Sequence, residues 1–370
     1  MIISKYLSNL FGWSTNRKIV VIESDDWGSI RIPSRAIRDK YIKKGIPLDT
    51  NIFTKFDSLE SPNDVNELLE TLNSAKSDIY GQNPRITMLS LPGNPNFEKI
   101  EHSRFENYYC EPVSVTYEKY GYNTINILKE GFVSGEISAE LHGREHLHVA
   151  SWLKCLRNDE FKITKEAFKD KFYGIQPGFA KENRKEYQAA FDIDHVDELV
   201  DQKEILVQAI SLFESEYGLK PKFFVPPNGP YNDELDATLY ENGIRYINAA
   251  KNRIEPIGNS GSRRRFHYLG QLKKSSLRII TRNVIFEPVR GGDTEVQKAL
   301  DSIRVAFKMK KPAVISSHRA NYIGGIDKKN RIIGNRLLAQ LLLKISKKWP
   351  DVEFMTSTEL GDLISKKIVK

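Results

Sequence analysis

The sequence predicts an α/β fold, a distorted (β/α) barrel of seven to eight strands with insertions, and three observations carry that prediction. Eight short runs rich in β-branched and aromatic residues alternate with helical segments, the pattern of parallel strands joined by crossovers. No internal repeat and no long linker divides the 370 residues, so residues 1–370 read as one domain. Hydrophobic residues make up 40% and charged residues 28%, a globular balance with no tract biased enough to read as disorder.

The strands are predicted at 18–23, 85–91, 136–141, 222–225, 245–249, 277–286, 313–317 and 352–356. Helices fall between them. Ser61 and Pro62 supply an N-cap and a first-turn proline, opening a helix to about residue 75. Residues 195–217 carry Val196, Leu199, Leu206, Ile210 and Phe213 at helical spacing and stop at Gly218. Asn232 caps a helix ending at Gly243, and helices over 294–308, 331–347 and 358–364 complete the set. Segments near 94–126 and 151–190 exceed a minimal barrel and read as insertions.

Composition narrows the function. Cys110 and Cys155, without CxxC spacing, give neither a disulfide framework nor a structural zinc knuckle. That suits a reducing compartment, and the cytoplasm is the expected location. The apolar part of the N-terminus is too short for a secretory signal, and no apolar run approaches the roughly 20 residues of a membrane span. Residues 2–13 instead suggest a short amphipathic helix, packed on the body in preference to a membrane surface, so peripheral membrane contact stays open. The net charge is +8, but the basic residues are spread along the chain. Arg263-Arg264-Arg265 sits in a Gly/Ser-rich stretch that reads as a surface loop, and no finger or RNP-type signature supports specific nucleic-acid binding. Nothing in the sequence sets an oligomeric state.

Four polar clusters each follow a predicted strand: Asp25-Asp26, His142, Pro226-Pro227-Asn228-Gly229 and His318. In a parallel barrel those strand ends open onto one face, where barrel enzymes place their chemistry. His142 and His146, four apart, can face one cation on a helical turn, and nitrogen ligands suit zinc or a similar transition metal. A carboxylate completing a His₂/Asp set leaves one position open to water. Adjacent aspartates allow a division of labour, one binding the cation and the other taking a proton from water that the metal has made acidic. Trp27 offers either a face for a sugar ring or a packed core residue. His148 reads as a neighbour rather than a further ligand.

These residues resemble the polysaccharide deacetylase family, whose members share a NodB-type catalytic domain. The family's first motif, Thr-Phe-Asp-Asp-Gly, corresponds to Glu23-Ser24-Asp25-Asp26-Trp27-Gly28. Its second, His-Ser/Thr-x-x-His, corresponds to His142-Gly143-Arg144-Glu145-His146, and its third, Arg-x-Pro-x-Gly, to Val225-Pro226-Pro227-Asn228-Gly229. Its fifth, a Leu-x-x-His-like strand end, corresponds to Ile315-Ser316-Ser317-His318. The resemblance runs from about Lys18 to His318 in the family's motif order, and it implies the same distorted barrel.

The resemblance also implies roles. Asp25 is the general base, Asp26, His142 and His146 hold the metal, the Asn228 backbone N–H faces the oxyanion, and His318 is the general acid. The implied cofactor is a divalent metal, zinc first, with cobalt, nickel or manganese as alternatives. The implied reaction removes an acetyl or other acyl group from an N- or O-acylated sugar, in polysaccharide biosynthesis or modification. The expected partner is therefore an acylated carbohydrate. Val225 stands where the family has an arginine that supports the catalytic aspartate, and the fourth motif has no clear counterpart. Arg282 and Arg290 lie in the region from which a positive charge could replace it. The interval between Asp26 and His142 is long, which fits an insertion.

Two rival readings follow from the same residues. His142 to His146 also fits H-x-x-E-H, an inverted zinc-peptidase pattern carried on a helix with Glu145 as base. Gly143 and the β-rich run before it argue against that helix. The other rival is a deacetylase-like barrel that binds carbohydrate with weak or no turnover, because Val225 breaks the usual support.

Overall fold

The computed structural model describes residues 6–158, 162–175 and 187–366. Nine strands form one sheet: β1 (Lys18–Trp27), β2 (Ile86–Ser90), β3 (Ile137–Leu141), β4 (Phe223–Phe224), β5 (Tyr246–Asn248), β6 (Arg278–Ile280), β7 (Val284–Ile285), β8 (Ala313–His318) and β9 (Val352–Met355). Their order is β6-β5-β4-β3-β2-β1-β8-β7, with β9 paired to the first residues of β1. All these pairings are parallel. The end strands β6 and β7 do not pair with each other, so the sheet curls into a distorted (β/α) barrel with a seam.

Strand alternation explains the layers. Ile19 and Val21 of β1 join Phe223, Ile280 and Val314 in an inner cluster, sealed by Leu360 and Ile364 of the C-terminal helix and by Leu269. The alternate residues Val20 and Ile22 join the main cluster beneath the surrounding helices. Being covered on both sides, β1 is buried almost along its whole length, as parallel strands require.

The helix signals operate as local chemistry dictates. Ser61 and Asp64 form a reciprocal capping box for helix Pro62–Asn73. Helix Glu198–Tyr217 ends on Gly218, whose φ of 72° is cheap only for glycine. Among the described residues no helix is long and apolar enough to cross a membrane.

Three sequence expectations need correction. The run 277–286 is two strands, because the chain leaves β5 after Ile280 and crosses the seam to β8. There the Asn283 backbone N–H donates to the Val314 carbonyl, and its Oδ1 accepts from the Val314 N–H. The basic triplet is no loop: Gly261–Phe266 pairs antiparallel with Asn252–Gly258, and Arg265 binds Glu255 on the partner strand at 2.5 Å. The segment 94–126 is ordered by a small antiparallel pair, Gly93–Pro95 with Cys110–Pro112, and by short helices. Of the expected N-terminal helix over 2–13, residues 2–5 lie outside the described residues, 6–7 are helical, and 8–12 are turns and bends that lead Trp13 onto the inner cluster. In the segment 151–190, helices Val149–Arg157 and Lys162–Lys169 are described, while 159–161 and 176–186 lie outside the described residues.

Candidate metal centre

The site begins with β1. Glu23 and Asp25 follow Ile19 and Val21 on the inward face, so alternation would turn Asp26 away from them. A register shift between Ser24 and Trp27 in the β1–β2 pairing and a φ of 80° at Asp26 reverse that. The bulge aims both carboxylates into one cavity. Non-glycine residues seldom hold a positive φ, and such strain persists where the surroundings enforce it.

Opposite Asp26, the loop after β3 brings in the imidazoles. His142 Nε2 and His146 Nε2 lie 3.4 and 3.2 Å from the same oxygen, Asp26 Oδ1. One ligand atom from each residue falls within 4.8 Å of the others, and all three side chains are buried. The expected helical turn is absent, because Gly143 at φ 96° breaks it and a loop performs the convergence. His142 Nδ1 donates to the Val225 carbonyl at 2.7 Å, which orients the ring with Nε2 toward Asp26. Burial pushes His146 down to about 4, with Asp26 partly offsetting it, so its imidazole is neutral near pH 7. Burial works against ionised Asp26, but His146, His142 and Arg31 outweigh it and hold the carboxyl well below its usual range.

Asp25 sits beside this group under different control. Arg282 grips it with both terminal nitrogens at 2.6 Å, and its Nε reaches Glu23 at 2.5 Å. Burial would raise Asp25, yet the guanidinium beside it lowers it below the ordinary value. The guanidinium beside Asp25 thus comes from the seam crossing. Val225 contributes its carbonyl instead.

His318 pairs in register with Asp25 across β1 and β8, its Nε2 3.7 Å from Asp25 Oδ2. Its Nδ1 meets Glu287 Oε1 at 2.6 Å, and Asn321 fixes the other Glu287 oxygen at 2.6 Å. Burial disfavours the imidazolium, but Glu287 and then Asp25 outweigh it and raise His318 to about 9. Asn228 adopts φ 55° in a turn closed by Gly229 N–H to the Pro226 carbonyl at 3.1 Å. Asp25, Asp26, His142, His146, Arg282 and His318 line one cavity of about 350 Å³ with Asn228.

Other candidates separate cleanly. Trp27 is fully buried and donates to Ser24 Oγ, so it is core and no sugar platform. His148 caps helix Val149–Arg157 and bonds the Asp192 carbonyl, away from the ligands. Glu145 is held by Arg144 at 2.6 and 3.0 Å and does not line the cavity, which leaves the inverted-peptidase reading without its base. Sequence reasoning missed Glu287, Arg31 and Phe53. Glu287 follows the end of a predicted strand, the same signal that marked the other clusters. Phe53, on the five-residue helix Ile52–Phe56, carries no such signal.

No protein-family model matches the chain. No curated protein matches it. Solved structures similar in fold include a provisionally assigned polysaccharide deacetylase from Mycobacterium smegmatis, 10% identical over 97% of this chain and 94% of that one, with a TM-score of 0.46. The peptidoglycan deacetylase PdaC from Bacillus subtilis, in a mutant form, is 11% identical over 95% and 93%, with a TM-score of 0.40. The α-amylase AmyC from Thermotoga maritima is 10% identical over 94% and 74%, with a TM-score of 0.46. At such distances the reading of the site rests on its own geometry.

Proposed function

We propose that the chain is a metal-dependent hydrolase that removes an acyl group from an N- or O-acylated sugar. One observation carries the reading: Asp26, His142 and His146 converge on a point beside a clamped carboxylate and a protonated imidazole. The donor set fits a divalent ion. Tetrahedral ligands at about 2.0–2.1 Å from zinc stand about 3.4 Å apart, close to the spacings at Asp26 Oδ1.

A divalent ion held there would polarise the acyl carbonyl and lower the pKa of water from about 15.7 toward 7. Asp25, kept ionised by Arg282, takes the proton from the attacking water. The Asn228 backbone N–H offers a donor to the developing oxyanion. His318, kept protonated by Glu287, gives its proton to the departing amine or hydroxyl. The binding-only alternative rested on Val225, and Arg282 supplies the support it lacks.

Elemental analysis and acetate release from acylated sugars test the reading together. His142→Ala should lose both metal and hydrolysis while keeping its fold. Equal metal content in wild type and variant would sink it. A second test concerns pH. His318 stays charged until the pH rises through about 9, and Glu287 is the group that raises it most. Glu287→Gln should therefore move the alkaline limb of the kcat profile to lower pH. A limb that stays in place would remove His318 from the proton-donor role.

A further inference from the structure

We infer that the acylated sugar accepted by this cavity carries an anionic oxygen group, phosphate or carboxylate, and that Arg290 binds it; the inference rests on the deacylase reading above. Of the two arginines that could have supported Asp25, Arg282 does so. Arg290 is left over. It lies on the short helix Pro288–Gly291, lines the cavity and is exposed to whatever enters it. Its guanidinium makes no hydrogen bond or ion pair among the described residues, and it stands over the Phe53 ring, 5.8 Å from the centroid. Every other cation in the cavity has a carboxylate beside it: Arg282 has Glu23 and Asp25, and His318 has Glu287.

A second guanidinium shares that ring. Arg31 stands 5.6 Å from the Phe53 centroid and only 7% exposed. Asp26 and Asp57 lie 3.8 and 3.9 Å from it, and its Nη1 has no hydrogen-bond partner. Phe53 thus gathers two under-satisfied guanidinium groups onto one wall. A buried guanidinium nitrogen left without a hydrogen bond, as on Arg31, is costly, and the planar fork of arginine on Arg290 matches carboxylate or phosphate oxygens two at a time.

The position says which part of the substrate is charged. The Phe53 ring packs edge-on against His318, 4.7 Å between centroids. His318 is the group that protonates the leaving atom, so the charged wall adjoins the sugar side of the scissile bond. The anion therefore belongs to the sugar and not to the acyl group. A phosphate on the sugar and a uronate carboxylate present the same chemistry here.

The test compares three probes: a neutral N-acetylhexosamine, an N-acetylhexosamine 1-phosphate and an N-acetylhexosaminuronate. Acetate release is measured with metal-loaded wild type, Arg290→Ala and Arg290→Lys. Binding of the same probes is measured by calorimetry. Wild type should favour at least one anionic probe, and which one identifies the source of the charge. Arg290→Ala should lower the anionic-to-neutral ratio of kcat/KM about 10- to 100-fold, the loss of one two-toothed charged contact, with Arg290→Lys intermediate. Equal use of all three probes by wild type, or an unchanged ratio in Arg290→Ala, overturns the inference while leaving the deacylase reading standing. If no probe releases acetate, the deacylase reading fails instead. Calorimetry of wild type against Arg290→Ala then still decides the anion site.

Discussion

Asp25→Asn keeps its metal and loses most of its turnover, on the order of 10²–10⁴-fold in kcat. The metal stays because Asp26, His142 and His146 are untouched and their approach does not depend on Asp25. Turnover falls because an amide cannot accept the proton from water. Folding survives because Arg282 retains Glu23 as its partner. Asp26→Asn behaves in the opposite way: a neutral amide is a poor ligand, and metal content drops first. Measuring both quantities on both variants separates the two aspartates. A metal-free Asp25→Asn beside a metal-loaded Asp26→Asn would reverse their roles.

Arg282→Ala should destabilise the fold by about 3–5 kcal/mol, the cost of removing one partner from a buried ion pair. Glu23 is completely buried and Asp25 nearly so, and truncation leaves both carboxylates without the guanidinium. The effect depends on pH. With Arg282 present, Asp25 is held below its ordinary value, so the pair contributes stability above the unfolded pKa and loses it on acidification through the folded one. Glu23 is raised by burial even with Arg282 beside it; without Arg282, burial raises Asp25 as well and Glu23 further, so stability is lost as pH rises through their folded values. The deficit in a urea melt should be largest near pH 8 and shrink near pH 5. Arg282→Lys, a single-point donor, should recover only part. An alanine variant as stable as wild type at pH 8 would refute the clamp.

What the sequence disclosed, and what it hid, follows from the range of the interactions involved. Residues that end strands were legible because strand position fixes the face on which they emerge, so strand ends alone put Asp25, Asp26, His142 and His318 on one rim. The helix around His142 and His146 was misjudged because spacing of four suits a helical turn, while a single positive φ at Gly143 lets a loop deliver the same pair. Arg282 was visible only as a charge in the right region. Its destination depends on a chain crossing between strands that pair with partners far apart in sequence, β5 on one side and β8 on the other. Phe53 and Arg31 come from connecting segments whose contacts are wholly tertiary, and no local pattern marks them.

The crossing itself has a mechanical meaning. A barrel closed by a continuous ladder holds its shape independently of what happens at its rim. Here the ladder stops, and residues 281–283 carry the covalent chain from one free edge to the other with Arg282 in the middle. The side chain that sets the basicity of Asp25 therefore rides on that link, and it ties the link to two neighbouring strands by bonding Glu23 and Asp25 of β1 and Ser316 of β8 at once. A shift of that link away from β1 would withdraw the guanidinium from the carboxylate, so the position of the seam crossing and the strength of the base are one coordinate.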